Sequence, residues 1–533
     1  MTESLREPHG AVPGVGRLSS SGPFSDRLAF RVLLGIVFYA GFRNLFQARI
    51  KPLWFDELLT ELMARQPNVS ALWKGLKTAV DGMPPPFYLI ERLAGSLPIN
   101  EHIAYRLLSI VAFSFTVICV YFFVEHRHGP VIALFCACLL FLTPLYNYYA
   151  DEARPYSMFV ACIAFAAVCY QRAPNRRWTI GLFASLLLAM GLHYYAVLAL
   201  SVFCGAELFF TFETRRLRPY VWSALLLPLV MLAFFRPLLI AIRASYAHFW
   251  SRPLFLDALK SYGEFFRIDT PWGFALMGVL ALAVCAVFWQ SRRRASETDL
   301  GLCPRNEQVL VLALLGYPLI IFVATKLLHG GFTPRYVLCG ILGIAIAFGY
   351  LLNQLEPRAT LVCLGFLAIT FVTQEFTFWR TAGSNSDARG ATARTLLAFA
   401  NSVHREDLPL VIADPGQYFE ILHYASPELK RRIVTVVDPR SAYLYLGTDT
   451  LDNIMLALRQ LAPVKVYEFS EFTATNPSFL IYENGSGFYW APTELLREGA
   501  VQRTIAIQDN GDRMYLVEPR PEPAARSAAD AGR

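Results

Sequence analysis

The sequence predicts a polytopic α-helical membrane protein, of about 11 transmembrane helices plus interfacial helices, that carries a C-terminal α/β soluble domain. Three observations carry this. The 533 residues are 55% apolar and only 17% charged, against about 25% charge in soluble domains. Apolar runs near the length that crosses a bilayer, about 20 residues, begin at Leu28, Ile103, Pro130, Ala153, Trp178, Tyr195, Tyr220, Trp272, Val309, Arg335 and Thr360. Beyond about Ser384 such runs stop, and short strand-like segments alternate with helical ones.

Taken in order, residues 1–26 are polar and rich in Gly, Ser and Pro, and read as a disordered cytoplasmic tail. The first apolar run, Leu28 to Phe46, is too long and too far along the chain for an ordinary cleaved signal peptide. It reads as a retained span. Lys and Arg in short loops mark the cytoplasmic side. The basic clusters are Arg27 with Arg31, Arg127 between His126 and His128, Arg172 with Arg176 and Arg177, Arg215 with Arg216 and Arg218, Arg292 to Arg294 with Arg305, and Arg358. All fall on one side only if the shorter apolar run Phe87 to Leu97 does not cross. Pro84, Pro85 and Pro86 before it suit a helix start.

This bookkeeping gives a transmembrane domain over 27–380 with a first outer loop at 47–102. Further outer segments are 146–156, 193–195, 243–271 and 326–335. An extracytoplasmic α/β domain follows over 384–520, then a disordered tail at 521–533. The expected location is the plasma (inner) membrane. Within the first outer loop, Leu58, Leu59, Leu62 and Met63, then Val69, Leu72, Trp73 and Leu76, are spaced for single helical faces. Both stretches read as interfacial helices lying on the membrane. An amphipathic stretch, Leu254 to Phe266, in the fourth outer segment would cover the site. In the tail domain, Leu408–Ala413, Arg432–Val437, Phe479–Tyr482, Arg503–Ile507 and Met514–Val517 read as strands. Pro492–Glu498 reads as a helix, and Asn510-Gly511 as a hairpin turn.

Composition also excludes. The net charge of +7 is small and gives no reason to expect nucleic-acid binding. The ten cysteines lack zinc-site spacing and, Cys303 aside, sit in apolar runs as small hydrophobes.

The chemistry-bearing residues gather on the outer side. Asp56 and Glu57, beside Trp54 and Phe55, are a carboxylate pair at a membrane surface, where desolvation demands a partner or a task. Asp56 reads as a catalytic base with Glu57 beside it, although an acid in the first turn of a helix is also favoured by the dipole. Tyr146, Tyr148, Tyr149, Asp151, Glu152, Arg154 and Tyr156 form a second cluster fit to line a polar cavity holding a sugar. An aromatic interface belt explains its tyrosines but not its acids. Arg335 and Tyr336, with Lys326 one span earlier, stand where a lipid phosphate would meet an arginine. A snorkelling arginine is the competing account. His193, Tyr194 and Tyr195 offer hydrogen bonds to a glycan or phosphate, or simply anchor the interface. Tyr88 closes the first loop after Pro85-Pro86-Phe87.

Together, Trp54-Phe55-Asp56-Glu57, Pro85-Pro86-Phe87-Tyr88, Asp151-Glu152-Ala153-Arg154-Pro155-Tyr156 and Pro334-Arg335-Tyr336 resemble the GT-C-fold, polyprenyl-phosphate-sugar-dependent glycosyltransferases. The branch is that of protein O-mannosyltransferases and aminoarabinose transferases. The resemblance spans roughly residues 28–380 and lies in the order of the motifs. It implies a polyprenyl-phosphate-linked sugar donor and transfer to an envelope glycan, lipid or protein on the outer face, with inversion. Asp56 would correspond to the base and Arg335 to a donor-phosphate contact. Tyr88, Asp151, Glu152, Arg154, Tyr156, His193, Tyr194, Lys326 and Tyr336 would bind substrate. Membrane lipids are expected partners. No cofactor is required; a divalent metal on Asp56, Glu57, Asp151 and Glu152 is compatible with the sequence. Met83 and Pro84 stand where many relatives have a polar or basic residue. A transporter or lipid flippase would also explain many spans, but predicts charged or helix-breaking residues at mid-span and internal repeats. An inactive scaffold would have no need of Asp56.

Overall fold

The computed structural model describes residues 23–519, apart from 252, 267–303, 356, 383–387, 403–404, 406, 486 and 509–510. All the predicted apolar runs within this set are helical. The run beginning at Trp272, with Arg292 to Arg294, lies outside the described residues. Among the described residues, five helices are long and apolar enough to cross a bilayer: Arg27–Ile50, Glu101–His128, Ala196–Thr214, Pro219–Ser245 and Arg358–Thr381. Two more runs form bent pairs, Pro130–Leu142 with Pro144–Ala150 at 78° and Arg305–Leu315 with Tyr317–Leu328 at 62°. Three helices, Tyr156–Gln171, Arg176–Leu192 and Gly340–Gln354, have 15 to 17 residues, short of a full crossing. The chain is a multi-span membrane protein, and among the described residues several of its apolar runs are bent or shorter than a full crossing. The reason is local: prolines at 144 and 318 interrupt the runs and bend them.

The first helices are α1 (Pro23–Ile50), α2 (Phe55–Ala64), α3 (Val69–Lys77), α4 (Pro85–Gly95) and α5 (Glu101–His128). They are followed by α6 (Pro130–Leu139), α7 (Pro144–Ala150), α8 (Tyr156–Gln171) and α9 (Arg176–Leu192). Helix α8 is buried on every side, between α5 and α9, as a helix apolar all round must be. By contrast Val362, Ile369 and Phe376, seven residues apart on Arg358–Thr381, are all exposed, a stripe suited to lipid. Helix α4 has 11 residues and cannot cross a bilayer. Pro85 opens it, and Asn68 and Asn100 cap α3 and α5.

Helices α2 and α3 form where the periodicity places them, but α2 does not rest one face on lipid. Eight of its ten residues are buried, between α4 and the C-terminal helix Pro415–Tyr424. The tail domain covers the face that looked free in sequence.

That domain holds a six-stranded sheet in the order β3-β2-β1-β4-β6-β5. The strands are β1 (Leu410–Ile412), β2 (Ile433–Val437), β3 (Val466–Glu468), β4 (Phe479–Glu483), β5 (Val501–Ile507) and β6 (Arg513–Glu518). The first four are parallel, and β6 and β5 add an antiparallel edge. β1 and β2 are buried throughout, as parallel strands covered on both faces are. Gly511, in the β5–β6 turn, takes φ +89°, a conformation glycine adopts without strain. Strand β3 was not predicted; only Val466 of its three residues is buried, so its pattern is too weak to read.

Candidate active site

The site forms where the N-terminus of α2, the turn before α8, the C-terminus of α9 and the 3-10 turn Pro334–Val337 meet. Its centre is one ion pair: Arg335 Nη1 donates to Asp56 Oδ2 at 2.8 Å. The partners are 279 residues apart in sequence. Both side chains keep a little exposure, 15% and 17%. Arg335 also lies against the rings of Tyr156 and Tyr336, at 5.8 and 5.7 Å.

Arg154 braces this pair from behind. It binds Asp81 through both terminal nitrogens, at 2.7 and 3.1 Å, and reaches the backbone oxygen of Asp56 at 3.1 Å and Thr60 Oγ1 at 3.0 Å. A bidentate guanidinium fixes orientation as well as charge.

An aromatic wall surrounds these charges. Tyr156 meets Tyr149 at 5.0 Å and His193 at 5.8 Å. Tyr336 stacks on Tyr195 at 4.7 Å and meets His193 at 5.4 Å. Gly331 is needed here, because a Cβ would lie 2.5 Å from the Phe249 ring, and its carbonyl accepts from Tyr195 Oη at 2.6 Å. His193 Nδ1 accepts from the Tyr195 backbone N–H at 3.1 Å, so the ring's proton lies on Nε2. Burial, then Arg154 and Arg335, push the imidazole down to about 3. It is a neutral donor.

Several buried polar atoms at this wall have no hydrogen-bond partner among the described residues: Tyr156 Oη, Tyr194 Oη, His193 Nε2, Arg335 Nε, Arg154 Nε and Thr333 Oγ1. Burying such groups unpaired costs about 1–3 kcal/mol each. Gathered around one ion pair, they suit a ligand rich in oxygen. Tyr88 and Tyr194 face Asp81.

Other residues singled out in sequence stand elsewhere. Glu57 is fully buried and turned away from Asp56. Arg106 grips it at 2.7 and 2.5 Å, and it accepts from the amides of Ala153 at 2.8 Å and Trp54 at 3.2 Å. Burial pushes its carboxyl up, and Arg106 more than reverses this, holding it below the usual carboxylate range. Asp151 and Glu152 turn to Lys51 Nζ, at 3.4 and 3.0 Å. Burial, opposed by Lys51, leaves Glu152 up at about 7. Lys326 is exposed in the last turn of Tyr317–Leu328 and forms no ion pair with the described residues. The helix Phe255–Phe266 packs on α7 and on the turn that carries Arg335, beside the site. The acids considered as oxygen ligands thus face three different cations, and among the described residues no three His, Cys, Asp or Glu side chains gather. As arranged, they do not form a metal-binding set.

Sequence reasoning missed Lys51, Asp81 and Arg106. Arg106 carried a signal: an arginine just inside an apolar run marks a buried partner by default.

Residues 83–240 match the family model of dolichyl-phosphate-mannose-protein mannosyltransferase. The match includes Tyr88, the Asp151–Tyr156 turn and His193–Tyr194, but neither Asp56 nor Arg335. The whole chain is similar to the crystal structure of ArnT from Cupriavidus metallidurans in the apo state, at 12% identity and TM-score 0.57, covering 92% of this chain and 98% of that one. It is also similar to ArnT from the same organism bound to undecaprenyl phosphate, at 12% identity and TM-score 0.54, covering 91% and 97%. The fold is that of ArnT. The likeness to ArnT covers 92% of this chain and so includes the tail domain, which no sequence motif had linked to these proteins. A comparison with curated protein sequences gives no match.

Proposed function

We propose that the protein transfers a sugar from a polyprenyl-phosphate donor to a hydroxyl or amine of an envelope glycan, lipid or protein. Transfer occurs on the outer face of the inner membrane, with inversion and with Asp56 as general base. The observation that carries this reading is the Asp56–Arg335 pair inside a wall of buried, unpartnered polar atoms. The ArnT-like fold, the matched mannosyltransferase segment and the undecaprenyl phosphate bound by ArnT all support it.

The steps follow from the side chains. Arg335 spends Nη1 on Asp56 while its Nε is buried and unpartnered. Donor phosphate would take that second edge, so one guanidinium serves both the leaving group and the base. The acceptor oxygen or nitrogen forms its bond to the anomeric carbon opposite the phosphate. The carbon–oxygen bond to phosphate breaks, and its electron pair leaves with polyprenyl phosphate. The acceptor's proton passes to Asp56. Arg335 stabilises charge as it accumulates on the leaving group. Tyr88, Tyr156, His193 and Tyr194 offer hydrogen bonds to sugar hydroxyls. Asp151 and Glu152 hold Lys51 and the turn that delivers Arg154. No nucleotide or flavin is needed, because the donor already carries the activation.

The test uses full-length protein in lipid vesicles with a panel of undecaprenyl-phosphate pentoses and hexoses and added envelope extract. Release of free undecaprenyl phosphate is the readout. Wild type turns over at least one donor, and Asp56→Asn lowers that turnover by about 10² to 10⁴ at normal yield. Wild-type turnover by Asp56→Asn would remove the base assignment. A reporter fused after residue 519 is expected outside; a cytoplasmic signal would reverse the orientation.

A further inference from the structure

The tail domain reaches the segment that carries Asp56. Two side chains of its helix Pro415–Tyr424, one turn apart, accept hydrogen bonds from backbone amides just before Asp56. Phe55 N–H donates to Glu420 Oε1 at 2.8 Å, and Leu53 N–H donates to Tyr424 Oη at 2.7 Å. The amide between them, Trp54 N–H, is held by Glu57 at 3.2 Å. Phe419, on the same helix, packs edge-on against Phe55 at 6.0 Å. The amides of a helix's first turn have no partner within the helix. Here an acid from another domain supplies one, at the end where the dipole favours negative charge.

The membrane domain grips the other side of the same segment. Arg106 donates to the carbonyls of Ala48 at 2.9 Å, Lys51 at 2.5 Å and Pro52 at 2.9 Å. From 48 to 55 the backbone is therefore pinned from two directions. Asp56 is the next residue, and among the described residues its carboxylate is held by a single ion pair.

We infer that Glu420 and Tyr424 are positioning residues: the tail domain sets the place of Asp56 by clamping the amides of residues 53 and 55. This rests on Asp56 as the general base. A catalytic group misplaced by about 1 Å can cost about a hundredfold in rate. The tail domain would then be a working part of the transferase rather than an appendage to it.

The experiment uses the full chain, with whichever undecaprenyl-phosphate sugar supports turnover. Glu420→Ala should lower kcat about tenfold, and Glu420→Ala with Tyr424→Phe about a hundredfold, with KM for the donor changed less than about threefold. Glu420→Gln keeps the accepting oxygen and should recover most of the rate. Hydrogen exchange of the amides at 53–55 should quicken at least about tenfold in the double variant. If the double variant does not fold, Glu420→Ala and Tyr424→Phe alone give the same readings at smaller amplitude.

In an Asp56→Asn background the clamp variants should add no further loss, since both act through one group. Wild-type kcat in the double variant, or an equal further loss without Asp56, would overturn the inference. Full activity in Asp56→Asn would instead overturn the base reading, while amide exchange would still report whether the clamp exists.

Discussion

Asp56 and Glu57 are neighbours in sequence, yet they belong to two unlike regions. Behind the first turn of α2, Glu57 sits in a saturated knot: Arg106 on both oxygens, two backbone amides, and no exposure. In front, among the described residues, Asp56 has one ion pair, and several polar atoms around it are buried but unspent. One residue along a helix is a turn of about 100°, enough to send one carboxylate into the scaffold and the other into the site. The contrast teaches that catalytic capacity lies in what is left unsatisfied, and that the saturated side is what holds it there.

The sharpest way to break this comparison is to exchange the fates of the two acids. Asp56→Asn should remove turnover and leave folding intact. Glu57→Gln should do the reverse. It leaves the Arg106 guanidinium buried without its counter-charge, and breaking a buried pair costs about 3–5 kcal/mol. Folded yield and detergent stability should collapse before any rate can be read. Arg106→Leu should match it. If Glu57→Gln folded normally and lost only turnover, Glu57 would belong with Asp56 and the division would fail.

The next effect is smaller and sits at the boundary. Arg335→Lys keeps the charge but loses the planar fork that serves two partners. Its affinity for undecaprenyl phosphate should fall about tenfold, measured by direct binding to the purified protein. Unchanged affinity would take Arg335 out of the phosphate's path and leave it as a partner of Asp56 alone.

How far the two regions were legible differs for physical reasons. The helices were readable because apolar runs and punctuating prolines are local signals. Asp56, Arg154 and Arg335 were readable because charge next to aromatics at the end of an apolar run stands out. What was not readable was direction. Nothing in Asp56-Glu57 says which side chain points to Arg335 and which to Arg106, 49 residues beyond Glu57. Lys51 was lost in the polar end of its loop, although it is what Asp151 and Glu152 turn to. Glu420 and Tyr424 gave no signal at all, since their task depends on a domain docking that no periodicity encodes.

The smallest effect tests whether the unsatisfied side is built for a neutral donor. His193 accepts the Tyr195 amide on Nδ1 and keeps Nε2–H free of protein partners. Burial and two nearby arginines push it down to about 3, from an ordinary value of about 6.5. Between those values the unfolded chain takes up a proton that the folded one refuses. Stability is therefore intact above pH 6.5 and falls as pH drops below it. The loss is at most about 1.4 kcal/mol per pH unit, so about 2 kcal/mol by pH 5. His193→Gln keeps a donor and has nothing to titrate, so its melting temperature should fall less between pH 7 and pH 5, by a few degrees. Its turnover should follow the same pH profile as wild type, because His193 does not ionise there in the folded protein. Equal losses of stability in both proteins would mean that the folded state accepts the proton after all. The cluster would then present a cation where a neutral hydrogen-bond donor is proposed.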